Sequence, residues 1–463
     1  MKRCLLWLMC LMLAVPAGMA ETVIPMEDLA IEDDSLLAMP DLNDSLQLED
    51  TLLSDETTLN EEATESITSN APGDGQTPPD RPGDDQSETT DSAATTLTGD
   101  SSGKTYKSTT GGENAVLVSG SKVKMTKDTV KKTGDSNSES ADFYGTNAAI
   151  LAKNSATLTI KNSKITTNGS HANAVFSYGS GTTVKISNST ITTKGNNSGG
   201  IMTTGGATMK ASNLKVTTSG NSSAAIRSDR GGGTVTVSGG TYKSSGVGSP
   251  AIYSTADITV SKATLSASKS EAVVIEGGNS VTLKNAKITG NNKTLNGQST
   301  VKTNVLIYQS MSGDASSGAS TFTMTGGTMT AKTGVMFHVT NVTTTISLSG
   351  VKFVNGSKTF LTATADSWGS SGKNGGNVTL NLSKQSISGN IKVDSVSSLK
   401  MNIKNGSTFT GAITNKGSCA VKLSSNSKWK LTGDSYVTSF SGSMKNVDLN
   451  GHTLYVNGKA KTK

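Results

Sequence analysis

Between residues 147 and 269 one short theme is written five times, and no other feature restricts the fold of this chain as tightly. The second copy reads NAVFSYGSGTTVKISNSTITTKGNNS, and its neighbours keep the same order of apolar, polar and turn residues. The aligned apolar positions Ala149, Val175, Ile201, Ile226, Ile252 and Val274 follow at intervals of 26, 26, 25, 26 and 22 residues. Self-similarity at a period of roughly 20–50 residues marks a solenoid, in which one repeat cannot bury its apolar face but a stack can.

Each copy holds three alternating apolar/polar runs, in the second copy at residues 174–177, 183–186 and 190–192. Runs of this length rich in Val, Ile and Thr predict strands, and the Asn-Gly, Gly-Gly and Ser-Gly pairs between them predict turns. No helical apolar period of 3.6 residues runs through the repeats. If each strand pairs with its equivalent in the next copy, the fold is all-β: a right-handed parallel β-helix, the hand following from the crossover rule. Its inward columns read Leu158, Val184, Met209, Val235, Ile258, Val281 on one sheet and Ile165, Ile191, Val216, Tyr242, Leu265, Ile288 on another.

A degenerate coil at residues 114–132 precedes the clear copies, and further coils start near Ala272, Asn304, Val335, Phe360, Ile391, Ile413 and Tyr436. The expectation is a solenoid of about 13 coils, about 60 Å long at a strand spacing of about 4.8 Å. Larger residues in 427–437 and 446–458 are expected to close the open core. Residues 291–302, 310–320 and 365–377 break the period and should leave as loops, where solenoids usually carry specificity.

The sequence before the solenoid is of another kind. Lys2 and Arg3 precede the apolar run 4–15, and Gly18-Met19-Ala20 offers small residues for cleavage, so residues 1–20 are expected to be a signal peptide and the mature chain extracellular. The apolar run is too short to persist as an anchor. Cys4 and Cys10 leave with it, so Cys419 has no disulfide partner and is expected to be a small core residue. Residues 21–103 carry 22 acidic residues and one basic residue, Arg81, which predicts a disordered acidic linker, with residues 36–53 the stretch most suited to a transient helix. Residues 104–463, the β-helix domain, reverse the balance with 39 basic and 14 acidic residues, 37 of the basic ones lysine. Such a surface attracts acidic polymers such as uronate glycans, teichoic acids or nucleic acid. Equally, lysines solubilise coils and blunt sheet edges.

The coil sequence, the block SKWKLTGDS at 427–435 and the ending VDLNG…LYV at 447–456 resemble the adhesin-like right-handed β-helix proteins that bacteria secrete. The ending is also similar to the terminal coils of pertactin-like autotransporter passengers. This resemblance implies surface adhesion or glycan contact, with host or bacterial surfaces as partners. The sequence departs from autotransporters in showing no membrane barrel after Lys463 and no wall-sorting signal, so no covalent surface anchor is expected.

Pectate-lyase-like and polygalacturonase-like enzymes share this architecture, which makes a polysaccharide lyase or glycoside hydrolase the competing expectation. Such lyases need carboxylates converging on calcium plus an Arg or Lys base, and such hydrolases need paired carboxylates. Here Asp229, Asp257, Glu271, Glu276, Asp314, Asp366, Asp394, Asp434 and Asp448 fall mostly one per coil. The best cluster is Arg227, Asp229 and Arg230 with Glu276 two coils on, and an Arg-Asp-Arg run is commonly a surface ion-pair set. His171, His338 and His452 lie in different coils, which excludes a three-histidine metal site and suggests solvated or turn positions. The Gly-Gly pairs precede no helix and serve turns, so neither a phosphate loop, a cofactor nor a metal is expected.

Two outward columns remain. On the first strand Phe176, Met202, Arg227, Tyr253 and Ile275 alternate with the inward column, followed two positions later by Tyr178, Thr204, Asp229 and Thr255. Exposed, they would form a groove for an extended sugar chain, with Phe176, Tyr178, Arg227, Asp229 and Tyr253 as candidate ligand-binding residues; the alternative is that a loop or the acidic tail covers them. On the third strand stand Lys164/Thr166, Thr190/Thr192, Lys215/Thr217, Thr241/Lys243, Thr264/Ser266, Lys287/Thr289 and Thr328/Thr330. This ladder resembles an ice-binding face, but lysine in four of the seven coils interrupts a matched lattice and suits an anionic polymer. The sequence therefore points to a non-catalytic, adhesin-like protein that contacts polysaccharide or anionic cell-surface polymers through its outer strand faces, without specific nucleic-acid recognition.

Overall fold

The computed structural model describes residues 91–295 and 299–462. The expected signal peptide 1–20 and residues 21–90 of the acidic segment, including the stretch 36–53 expected to suit a transient helix, lie outside the described residues.

Each coil contributes three strands, as Val175–Tyr178, Thr183–Ser187 and Thr190–Thr193 illustrate. Equivalent strands pair in parallel from coil to coil and build three sheets. Among the described residues the first sheet has twelve strands, the second fourteen and the third ten, and a separate four-stranded sheet takes over the third position near the C-terminus. The second sheet thus shows fourteen coils where the sequence suggested about thirteen. Pairing also reaches back past Lys104, since Ser101–Ser102 pairs with Met125 and Thr126, and Ala93 and Thr96 bridge to Asn114 and Leu117.

The inward columns stack as their alternation dictates. Leu158, Val184, Met209, Val235, Ile258 and Val281 are mutual partners on the second sheet, and Ile165, Ile191, Val216, Tyr242, Leu265 and Ile288 on the third. All are buried in one continuous core. On the first sheet the column is Ile150, Val175, Ile201, Ile226, Ile252 and Val273, which corrects the expected Ala149 and Val274 by one residue each. Ile275 moves with it, from the expected outward column into the core. The physical reason is that this sheet is buried on both faces, so its apolar runs do not alternate and cannot fix their own register.

The corner between second and third strands is made the same way throughout. Asn162, Asn188, Asn213 and Asn285 take positive φ there, a conformation asparagine tolerates better than most residues. In the first two of these coils the next residue is a serine that accepts a backbone N–H of the coil before: Ser163 Oγ from Asp128 at 3.2 Å and Ser189 Oγ from Ser163 at 3.0 Å. Through the ten coils of the third sheet this connection is two residues long, and among the described residues the long connections lie on either side of the first sheet. Residues 133–149, which include the helix Glu139–Phe143, and 291–302 precede first-sheet strands, and residues 309–319 and 364–375 follow them. Ser138 caps that helix through its side chain.

The C-terminal end is closed as expected. Trp429 is fully buried, stacks on Phe409 at 5.7 Å and donates its indole N–H to the Gly411 carbonyl at 3.0 Å. Leu454–Val456 and Lys459–Lys461 then form an antiparallel hairpin across the end. Cys419 is a buried core residue, and burial pushes its thiol up to about 12.

Candidate functional site

The outward column of the first sheet runs Leu117, Leu151, Phe176, Met202, Arg227, Tyr253, Val274, Leu306, His338 and Thr362. Every one of these side chains is buried. The expected open groove at Phe176, Tyr178, Arg227, Asp229 and Tyr253 is therefore roofed over, as the loop-covered alternative anticipated. Of the five, only Tyr178 keeps partial exposure.

Two covers account for this. Residues 133–149 lie over the early coils, where Gly145 sits so close to the Phe176 ring that a Cβ would approach it to 2.7 Å. Tyr144 packs edge-on to Tyr178 at 5.3 Å, and Thr204 Oγ1 donates to the Phe143 carbonyl at 2.7 Å. His171 fastens the same cover, with Nδ1 2.9 Å from Asp142 and Nε2 2.9 Å from the Asn197 amide. Over the later coils Trp368 packs on Tyr308 at 4.6 Å in a second apolar cluster with Tyr253, Val274 and Leu306. His338, also buried, bridges Thr362 at 2.8 Å and Asp366 at 3.1 Å. Both histidines were expected to be solvated or at turns; His171 does take a turn conformation, but each is enclosed by hydrogen-bond partners.

Between the covers the charges converge. Arg227 and Arg230, the two arginines of residues 104–463, both belong to one cluster with Asp229, Asp314 and Glu276. Arg227 donates to Asp229 at 2.8 Å, and the Arg230 backbone N–H donates to the other Asp229 oxygen at 3.0 Å. The Arg230 guanidinium lies 3.8 Å above the Phe143 ring and binds Asp314 at 3.0 Å, reaching across 84 residues of sequence. Glu276 accepts O–H donors from Tyr253, Tyr308 and Ser310, and Ser312 holds Asp314 at 2.9 Å. Burial raises Glu276 to about 7, against the three hydrogen bonds that favour its charged form. Burial also raises Asp229 to about 6, opposed by Arg227 and reinforced by Asp314.

The sequence named Arg227, Asp229, Arg230 and Glu276 as its best cluster, and the fold brings them together. Asp314 it counted among the scattered acids, because the path of the insert 309–319 back onto the first sheet has no periodic signature. Asp229 against Arg227 and Glu276 among Tyr253, Tyr308 and Ser310 are two buried carboxyl groups raised toward neutrality, which has the makings of acid/base chemistry. Among the described residues no group of three or more His, Cys, Asp or Glu is arranged to hold a metal ion.

The third sheet is the opposite case. One outward column reads Thr105, Thr129, Lys164, Thr190, Lys215, Thr241, Thr264, Lys287, Thr328 and Lys352. The other includes Lys107, Lys131 and Lys243. All seven lysines are exposed, and neither column contains a carboxylate.

A family model described as the right-handed β-helix region matches residues 114–314. No curated protein and no solved structure matches the chain. The coil-by-coil parallel register and this match agree on the fold: the chain forms a right-handed parallel β-helix.

Proposed function

We propose that this is a secreted, non-catalytic, adhesin-like protein that holds anionic polysaccharide or a related acidic surface polymer against the open face of its third sheet. The observation that carries the reading is the pair of outward columns with seven exposed lysines and no carboxylate. Stacked at about 4.8 Å per coil, threonine hydroxyls and ammonium groups offer a flat, repeating set of donors along the stack. Their attraction for an acidic chain is additive over many weak contacts, so it grows with polymer length and falls with salt.

A second reading is favoured by one observation, the convergence of Glu276, Asp229 and Asp314 beside two arginines. On it the protein is a polysaccharide lyase or hydrolase whose centre opens when the insert 309–319 lifts. One experiment separates the two. The protein is passed over immobilised polyuronates and neutral glycans while retention and chain cleavage are both followed. Salt-sensitive retention on polyuronates without new chain ends supports binding, whereas new reducing or unsaturated ends that vanish in Glu276→Gln would establish the enzyme.

A further inference from the structure

The third sheet stops at Lys352–Val354, and the next strand at this position, Ser386–Ser388, begins a separate sheet to which it is not hydrogen-bonded. The same coil carries a register shift between Thr359 and Leu361 on the first sheet. Irregularities of this kind re-aim side chains and gather at functional sites. Here they open a cleft of about 460 Å³ between the two sheet edges, within the roughly 300–1,000 Å³ range of small-molecule sites.

Six side chains define its chemistry: Asn355, Ser357, Lys358, Ser388, Asn390 and Thr410. Lys358 is exposed and no carboxylate lines the cleft. Asn390 is held by its oxygen, which accepts the Ala412 N–H at 3.0 Å and the Thr432 hydroxyl at 3.1 Å. Its amide donors are thereby directed away from those partners. Asn355 is held the other way round: its amide donates to the Ser388 carbonyl, and its oxygen is buried without a hydrogen-bond partner. Amide donors on Asn390, several hydroxyls and one ammonium group match a ligand rich in hydroxyls that carries one negative charge.

We propose that this cleft is a saturable site for a single uronic acid residue or the end of a short acidic oligosaccharide, with Lys358 facing the sugar carboxylate. The site is separate from the lysine face of the third sheet and does not rest on it. The test is calorimetric titration of the full chain with a short oligogalacturonate and with its methyl-esterified, neutral counterpart. Saturable one-to-one binding of the acid form is expected, about tenfold weaker in Lys358→Gln, a loss of about 1.4 kcal/mol. Asn390→Asp keeps the oxygen that Ala412 and Thr432 need and replaces the amide donors with a negative charge, so it should abolish binding at unchanged Tm. Glutamine at Lys164, Lys215 and Lys287 should leave this binding intact even where it lowers retention on polymer. Absence of saturable binding, equal affinity for the methyl ester, or wild-type affinity in both cleft variants would overturn the proposal.

Discussion

The first and third sheets run through the same coils and carry outward side chains at the same spacing, yet ten successive outward positions from Leu117 to Thr362 are buried on one, and ten from Thr105 to Lys352 stay open on the other. Chain connectivity decides the difference. Second and third strands are joined by two-residue corners that leave nothing to fold back, whereas the long connections all enter or leave the first sheet. Composition follows: Phe, Met, Tyr and Arg227 stand in the roofed column, and Thr and Lys fill the open one. An outward position on this β-helix is thus exposed where no insert, from its own or a nearby coil, reaches its face.

The sharpest break of this comparison is a matched pair of truncations. Phe176→Ala removes a fully buried ring under Gly145 and should cost about 3–5 kcal/mol, while Thr192→Ala on the open face should stay within about 0.5 kcal/mol, both read from thermal or denaturant unfolding. Next comes Arg230→Ala, which removes the guanidinium that Asp314 binds and that covers the Phe143 ring. A loss of about 2–3 kcal/mol is expected, together with faster proteolysis within residues 309–319, and unchanged stability would mean that the pair does not hold the cover.

The third prediction concerns pH. Glu276 is raised in the folded chain to about 7 from its ordinary 4.5, so the folded state binds its proton more tightly than the unfolded state does. Its contribution is fully present below the ordinary value and is lost as pH rises through about 7. Asp229, raised to about 6, acts in the same direction. The Tm should therefore fall by about 2–4 °C between pH 5.5 and 8, and Glu276→Gln should flatten most of that slope. A Tm that rises over this interval would contradict the placement of Glu276.

Much of this molecule could be read before folding. The second- and third-sheet columns were correct position by position because one face of each strand is polar, which leaves a period of two in VKIS or TITT. The first sheet gave no such period: IMTT and VVIE are buried on both faces, so the register slipped at Ala149, Val274 and Ile275. That missing alternation was itself the available sign that something covers the sheet. The burial of His171 and His338 was hidden because their partners, Asp142 and Asp366, stand on inserts. Asp314 joined Arg230 for the same reason, through chain that obeys no repeat. The cleft at Lys358 arises where the third sheet breaks, and a break in hydrogen bonding leaves no mark in composition.

The most direct test of the account measures affinity for polygalacturonate at low salt in the wild type and in a variant with glutamine at Lys164, Lys215, Lys243 and Lys287. These four side chains are exposed, so Tm should change little. The account predicts a loss of about tenfold or more in affinity and a weaker salt dependence. Wild-type affinity in that variant would contradict it and move the binding surface elsewhere on the coils.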